Sequence, residues 1–458
     1  MEFKRTLSLF DSVSLIFGTV IGSGIFFTSG FILSKVENPY LVLFLWILGG
    51  LVAIAGALTY SYPAILFPKA GGDYIYLKEA YNPFVGFLSG WISLLITFSA
   101  TISALSLAFS KYLMYFFPEN FLESISFQLN FIGLNIQFGS TQVFALLSVY
   151  TLSAIGYFGI QASFRIQNLL TVVKFGGLIL FIFFGFIIGN KNYSFFSDPF
   201  LNTEKISFGN LLFGLIPITF SYFGWNMVTY IAGEIKDPKK NIPRAIVIAC
   251  SLISLFYILI NFLFLVSLPV HEMKSNEGIG IVSSKYLFGD KILPLLSFLF
   301  LWIILSSLSG IIIGGSRIYF ALANDGLFFQ SLAKLHPKYN SPYIAIFFQA
   351  LYASIFIIIK DLESLVYFVT AGILFLSILT AASTFLFIKR KLYSEYKIPF
   401  YPFTPLFFIA INSAILGAIV YEKPVEALWG LGVFLLSIPV YFLYTNSFIK
   451  TLKRFLHH

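Results

Sequence analysis

The chain is a succession of apolar runs, each about 20 residues long and separated from the next by a short polar break; about 20 residues of helix, at 1.5 Å each, cross the roughly 30 Å of bilayer hydrocarbon. So many runs of that length exclude most water-soluble folds, because no soluble surface of adequate area can be assembled from what remains. Composition agrees: 58% of the 458 residues are hydrophobic and only 11% are charged, against roughly 25% charged residues in an ordinary soluble domain. Lipid is the solvent that suits such a chain. Since the bilayer core offers backbone groups no partner, the runs are expected to be helices that satisfy their own hydrogen bonds.

Twelve spans are expected, near residues 8–34, 40–66, 83–115, 141–158, 163–189, 208–234, 243–268, 287–323, 342–359, 362–388, 402–421 and 425–446. Breakers such as Asn38-Pro39, Asn82-Pro83, Pro269 and Pro424 fall between them. The amino terminus places two cations before an apolar stretch, as a signal peptide does, but without a small-residue cleavage site; it reads as a first span that is retained. The whole of 1–458 is thus expected to form a single membrane domain.

A net charge of +9 raises the question of a polyanionic partner, so the placement of the cations matters. They lie between the apolar runs: 19 Lys and Arg fall in one set of alternate loops, nine in the other, and Lys174 lies within a span. That asymmetry predicts a multi-pass cell-membrane protein with both termini cytoplasmic, and no nucleic-acid partner, since no basic stripe with interleaved aromatics occurs. The segment 116–140, free of Lys and Arg, suits an outer loop. A single cysteine, Cys250, excludes an intrachain disulfide framework and a cysteine metal cluster. With four His, no HExxH or nucleophile-elbow motif and no carboxylate pair within a span, the chain is not expected to be an enzyme, and no cofactor or metal is implied. Charge rings and filter loops, the marks of a channel, are also missing.

Two spans carry internal helix breakers. The first contains GTVIGSGIFFTSG, with Gly22, Ser23 and Gly24 together at its middle; the sixth reads LIPITFSYFGWNMVTYIAGE, with Pro217 and Gly224 bracketing a polar and aromatic stretch at similar depth. Unpaired backbone groups cost several kcal/mol each in hydrocarbon, so an unwound stretch survives only inside the protein or against water and ligand. Two such stretches, each opening a set of five spans, suggest an inverted-repeat transporter with its site at the bilayer midplane, the repeats being 8–189 and 208–388 and the last two spans, 402–446, accessory. Gly18 and Gly22 also have the spacing of small residues that merely let helices pack closely.

The segments GTVIGSGIF, PKAGGDYIYLKEAYNPFVGFLSGW from Pro68 to Trp91, FSYFGWN followed by GEIKDPKKNIPRAI, and GGSRIYFALANDGLF from Gly314 to Phe328 occur in this order. In them the chain resembles the amino acid, polyamine and organocation transporter superfamily, most closely its L-type and related bacterial amino acid permeases. The resemblance implies an all-α polytopic fold of 12 transmembrane helices, a leucine-transporter-like 5+5 inverted repeat in which helices 1 and 6 are broken. It also implies that backbone amides of Gly22, Ser23 and Gly24 hold a substrate carboxylate at the positive end of a half-helix. Carbonyls at Val20 or Ile21 and at Phe220, Ser221 and Phe223 would accept from the substrate ammonium, Phe220 would form an aromatic lid, and Trp225 and Asn226 would line the pocket. In a chain with 19% aromatic residues, Phe220 and Trp225 serve equally well as packing residues, whereas the Asn226 amide needs partners wherever it lies.

Lys174, in NLLTVVKFGGLIL, lies nine residues beyond Arg165, roughly 13 Å into its helix. A lysine there costs about 2.5 to 3.5 kcal/mol on insertion scales, so a partner or a wet cavity is expected. Related permeases carry such a lysine in place of a sodium ion, touching the broken part of helix 1 and helix 8; Ser306, Ser307 and Ser309 are its candidate neighbours, and coupling of pocket occupancy to closure would follow. Arg317 and Glu234 read as anchors of the inner surface, Asp73 and Glu79 as inner-gate or packing residues. The expected function is secondary transport of neutral amino acids by exchange or proton-coupled symport, with a small-molecule amino acid, protons and the lipid bilayer as partners. A polyamine or cationic amino acid transporter, or a nontransporting amino acid sensor on the same fold, are the alternatives. The L-type relatives of eukaryotes are disulfide-linked to a partner through a cysteine between spans 3 and 4; that loop has none here, so no disulfide-linked partner chain is expected.

Overall fold

The structure, a computed structural model, describes residues 3–445 except 23, 37, 115, 119–126, 132–133, 193–206, 270–271, 274–277, 360–361 and 393–395. The first helix, α1 (Leu9–Val20), starts at a capping box: the Ser8 hydroxyl accepts from the Asp11 amide at 3.2 Å, and the Asp11 carboxylate accepts from the Ser8 amide at 2.7 Å. It stops at Ile21, whose backbone is extended, and helix resumes as α2 (Gly24–Val36). After the Asn38 cap and Pro39 comes α3 (Pro39–Leu66); Gly71 and Gly72, both at positive φ, then turn the chain into the short α4 (Asp73–Ala80). The long α5 (Pro83–Met114) carries a π-helical turn at Ser93–Phe98.

Two antiparallel strands, β1 (Phe127–Phe131) and β2 (Leu134–Phe138), occupy the stretch read as an outer loop, with Phe127 opposite Phe138. Beyond them lie α6 (Ser140–Tyr157) and α7 (Ile160–Ile187). The sixth expected span divides into α8 (Phe208–Ser221), a non-helical turn over 222–226, and α9 (Met227–Tyr230). The rest is helical too: α10 (Pro238–Ser267), α11 (Ile279–Phe288), α12 (Leu293–Asn324), α13 (Tyr343–Ile359), α14 (Leu362–Lys389), α15 (Phe403–Glu422) and α16 (Pro424–Thr445).

A helix thus coincides with every expected span, and among the described residues nine helices are long and apolar enough to cross a membrane. The sequence reading passed over α4 and α11, which at 8 and 10 residues are too short to span and lack a long apolar run. Burial orders the helices around a centre. The apolar window of α5 is 94% buried and that of α16 only 6%, so α5 is interior while α16 presents its apolar side chains outward, as a lipid-facing helix does. The broken α1 packs between α7, α10 and α12, surrounded by protein on all sides that matter to its unpaired backbone. On the face that carries the amino terminus, the Thr6 and Leu7 amides donate to the Glu234 carbonyl at 2.9 and 3.0 Å and the Lys236 amide donates to the Leu7 carbonyl at 2.8 Å, forming a parallel bridge between Leu7 and Ile235.

Candidate functional site

The breaks in the first and sixth spans face each other. A Cβ on Gly24 would meet Ser221 Oγ at 2.3 Å and the Ser221 backbone at 3.1 Å, and Thr28 Oγ1 lies 3.1 Å from Ser221 Oγ. Gly224, at φ +102°, brings the other turn against α1, where an added Cβ would stand 2.6 Å from Thr19 Cγ2. Tyr257 of α10 clamps the pair: its hydroxyl lies 3.0 Å from the Val20 carbonyl and 2.7 Å from the Ser221 carbonyl, within donating distance of both. Each break is a place where the last carbonyls of one half-helix and the first amides of the next lack intrahelical partners.

A small cavity opens between them. Val20, Gly22, Gly24, Phe220, Ser221 and Phe223 border it together with Thr19, and α5 adds Thr101 and Leu105 while α12 adds Ile311. No charged side chain among these residues reaches it. Its electrostatics come from backbone: the amino-terminal end of α2 supplies partial positive charge and the carboxyl-terminal ends of α1 and α8 partial negative charge. The cavity is thus polar through its backbone alone, positive toward Gly24 and negative toward Val20 and Ser221.

Three of the expected pocket residues stand differently. The Ile21 carbonyl, read as an acceptor for a substrate ammonium, already accepts from Lys174 Nζ at 2.5 Å and from Ser307 Oγ at 2.8 Å, which uses both its lone pairs. Trp225 lies outside the cavity: it packs edge-on to Tyr60 at 4.7 Å and Phe408 at 6.1 Å, because the turn over 222–226 carries it round toward α3 and α15. There it borders a second, mostly apolar cavity with Phe408 and Asn412, separated from the first by Phe223, which borders both. Asn226 does find the partner its amide needs, in the Asp73 carboxylate, which accepts from Nδ2 at 3.4 Å. Ser23 lies outside the described residues.

Lys174 is fully buried, and its ammonium donates to the Gly18 carbonyl at 2.7 Å, the Ile21 carbonyl at 2.5 Å and Ser307 Oγ at 3.2 Å. Its three protons have three acceptors, two on the break of the first span and one on α12. Ser307 itself reaches the Gly18 carbonyl at 3.0 Å, and Ser306 reaches it at 3.5 Å. Ser309, also read as a neighbour, makes no hydrogen bond to Lys174; two residues beyond Ser307 on a helix of 3.6 residues per turn, it points to the other face.

Three features were not legible beforehand. Tyr257 sits in an apolar span whose pattern does not mark it. Arg317 donates to Glu234 at 2.9 Å with both side chains almost fully buried, so the pair is internal and not at the surface. Asp73 is only 2% exposed and gathers hydroxyls: its carboxylate accepts from Tyr230 Oη at 2.5 Å and Thr380 Oγ1 at 2.9 Å.

Two apolar helices thus break against one another around an uncharged cavity, an arrangement that suits a membrane carrier. The chain belongs to the amino acid permease family, whose model matches residues 7–444. Over 444 residues it is 30% identical to the serine/threonine exchanger SteT of Bacillus subtilis (strain 168), covering 96% of each chain. It is 26% identical over 452 residues to the human large neutral amino acids transporter small subunit 2, covering 97% of this chain and 81% of that protein. The human cystine/glutamate transporter is 25% identical over 453 residues, covering 97% and 86%. These relatives are transporters, not enzymes, and the chain is a membrane protein of an amino acid transporter family.

Proposed function

We propose that the chain exchanges neutral amino acids across the cell membrane by alternating access, with one zwitterion bound between the two breaks. The contact of Gly24 with Ser221 carries this reading, since it brings the amino-terminal end of α2 and the carboxyl-terminal end of α8 to one small cavity. The substrate carboxylate takes the amides at the start of α2, and its ammonium takes carbonyls at Val20, Phe220 and Phe223. Phe220 covers the bound molecule. Because backbone reads the zwitterion, the uncharged lining is left to choose the side chain, which disfavours a polyamine or a cationic amino acid: an extra positive charge meets no carboxylate among the residues bordering the cavity. Serine and threonine exchange in a relative covering 96% of each chain supports small neutral substrates.

In this reading the nine long helices are joined as spans by α6, the broken α8 with α9, and α13, giving twelve, with both termini cytoplasmic. Residues 8–189 and 208–388 are the two repeats and 402–446 the accessory pair. Lys174 fastens the break of the first span to α12, so that filling the cavity and closing it are coupled. No covalent partner is needed.

The test is counterflow in vesicles holding the purified protein. Internal unlabelled serine is expected to accelerate uptake of labelled serine or threonine, while internal lysine or putrescine has no effect. Thermal stabilisation by amino acids without any counterflow supports the sensor instead; counterflow driven by putrescine alone refutes the neutral assignment.

A further inference from the structure

Asp73 is a buried carboxylate with no cation beside it. Among the described residues, Lys78 pairs with Asp325 at 2.5 Å and Arg317 with Glu234 at 2.9 Å, not with Asp73. What faces the carboxylate from each neighbouring element is neutral: Tyr60 from α3, Tyr76 from α4 itself, Asn226 and Tyr230 from the broken sixth span, Thr380 from α14. Removing a carboxylate from water without a counter-ion costs several kcal/mol, and three neutral donors compensate only part of that. The tyrosines supply the second observation. Tyr60 Oη and Tyr76 Oη, both fully buried beside Asp73, make no well-formed hydrogen bond among the described residues, although Tyr60 lies close to Asp73, Ser377 and Thr380 and Tyr76 to Thr229. A tyrosine hydroxyl can give its proton to the carboxylate or accept one from the carboxylic acid, so either form of Asp73 finds a partner here and the proton can come and go.

The position gives such a proton something to control. Gly71 and Gly72 press the turn before α4 onto Tyr230: the Gly71 amide donates to the Tyr230 carbonyl at 3.0 Å, and a Cβ on Gly72 would meet the Tyr230 ring at 2.7 Å. Asp73 therefore joins the loop between α3 and α5 to the carboxyl-terminal end of the turn in the sixth span and to α9, on the side of the cavity toward the amino-terminal face.

We propose that Asp73 is a proton-binding site that latches this face: it holds a proton while the loop, α9 and α14 are packed together, and releases it to water when they part. The step is a simple acid dissociation, in which the O–H bond of the Asp73 carboxyl breaks, the electron pair stays on the carboxylate and the proton goes to water. Burial raises the Asp73 carboxyl above the usual carboxylate range. The sign follows from that. A packed arrangement with the higher value binds the proton more tightly than a hydrated one, so packing is favoured at lower pH and loses that advantage as pH climbs through the raised value.

Infrared difference spectroscopy of the whole protein in lipid, in H2O and D2O, tests the proton directly and independently of transport, which the proposed function needs but this site does not. At mildly acidic pH the wild type is expected to show a protonated carboxyl band that titrates away on alkalinisation and is lost in Asp73→Asn. Tyr230→Phe, which removes a donor to the anion, is expected to move the midpoint of that band up by as much as about one pH unit. Absence of a carboxyl band assignable to Asp73, or a midpoint unmoved in Tyr230→Phe, overturns the proposal. In vesicles that show counterflow, the wild-type rate is expected to fall as pH is lowered on the amino-terminal face, and Asp73→Asn to run at the low-pH rate throughout; a variant that keeps the wild-type pH profile also overturns it. Vesicles without counterflow but with the titrating band sink the transport reading and leave the proton site standing.

Discussion

Replacing Gly224 by alanine isolates the geometry of the second break. At φ +102° a residue with a Cβ carries about 1–3 kcal/mol of strain. The new Cβ also lands 2.6 Å from Thr19 Cγ2, inside the ordinary contact distance of about 3.5–4.0 Å. Thr19 cannot swing away freely, because its hydroxyl donates to the Leu15 carbonyl at 2.6 Å, a bond whose loss costs about 1 kcal/mol. Together these come to about 2–4 kcal/mol, which lowers the population of the packed arrangement roughly 30- to 700-fold relative to alternatives that do not need the turn. The assay is initial counterflow rate at matched protein content beside thermal unfolding in detergent. Gly224→Ala is expected to lower both. Adding Thr19→Ser, which deletes the offending methyl but keeps the hydroxyl, is expected to restore the steric part and not the strain. Gly176→Ala, inside α7 with nothing within 4 Å of the added Cβ, serves as control and is expected to be neutral or stabilising by about 0.5–1 kcal/mol. Wild-type stability and wild-type rate in Gly224→Ala refute the argument, since the turn would then not require glycine.

Lys174→Met is expected to unfold at nearly the wild-type temperature, because the Ser307 hydroxyl, 3.0 and 2.8 Å from the Gly18 and Ile21 carbonyls, can still donate to one of them, and removal of a buried cation of about 2.5–3.5 kcal/mol insertion cost offsets the loss at the other. Its counterflow is nonetheless expected to drop at least about tenfold, a loss of 1.4 kcal/mol or more in coupling; full activity would remove the lysine from the mechanism. Glu234→Gln leaves the Arg317 charge buried and unmatched and is expected to destabilise by about 3–5 kcal/mol, whereas the double change with Arg317→Met recovers most of that; denaturation of the three variants in parallel decides it. Tyr257→Phe withdraws the hydroxyl that bridges the Val20 and Ser221 carbonyls, costing about 1–3 kcal/mol, and is expected to weaken serine binding measured by thermal shift.

The parts of this fold that were legible beforehand are those written in local composition. Apolar length marks spans, and Gly22, Gly24, Pro217 and Gly224 mark the breaks because helix cost is set residue by residue. Lys174 stood out because a lone cation in an apolar run needs no context to look unusual. Partners were another matter. Tyr257 meets Val20 across 237 positions and Thr380 meets Asp73 across 307, and no periodicity announces a pairing of that range. The family resemblance implies Trp225 in the pocket, but two residues beyond Phe223 along an irregular turn suffice to aim a side chain at a different wall. The same angular arithmetic separates Ser307 from Ser309 and was available from the spacing alone, once one of the two had been anchored to Lys174.

The backbone bridge between Leu7 and Ile235 yokes the leader of the first broken helix to the tail of the second. Two levers joined at the handle cannot travel independently, so on the amino-terminal face α1 and α9 swing as one leaf. In the proposed exchanger, an amino acid released by that door would pass both breaks in a single stroke, and severing the yoke would let the door open halfway, leaking its passenger before the opposite side has sealed.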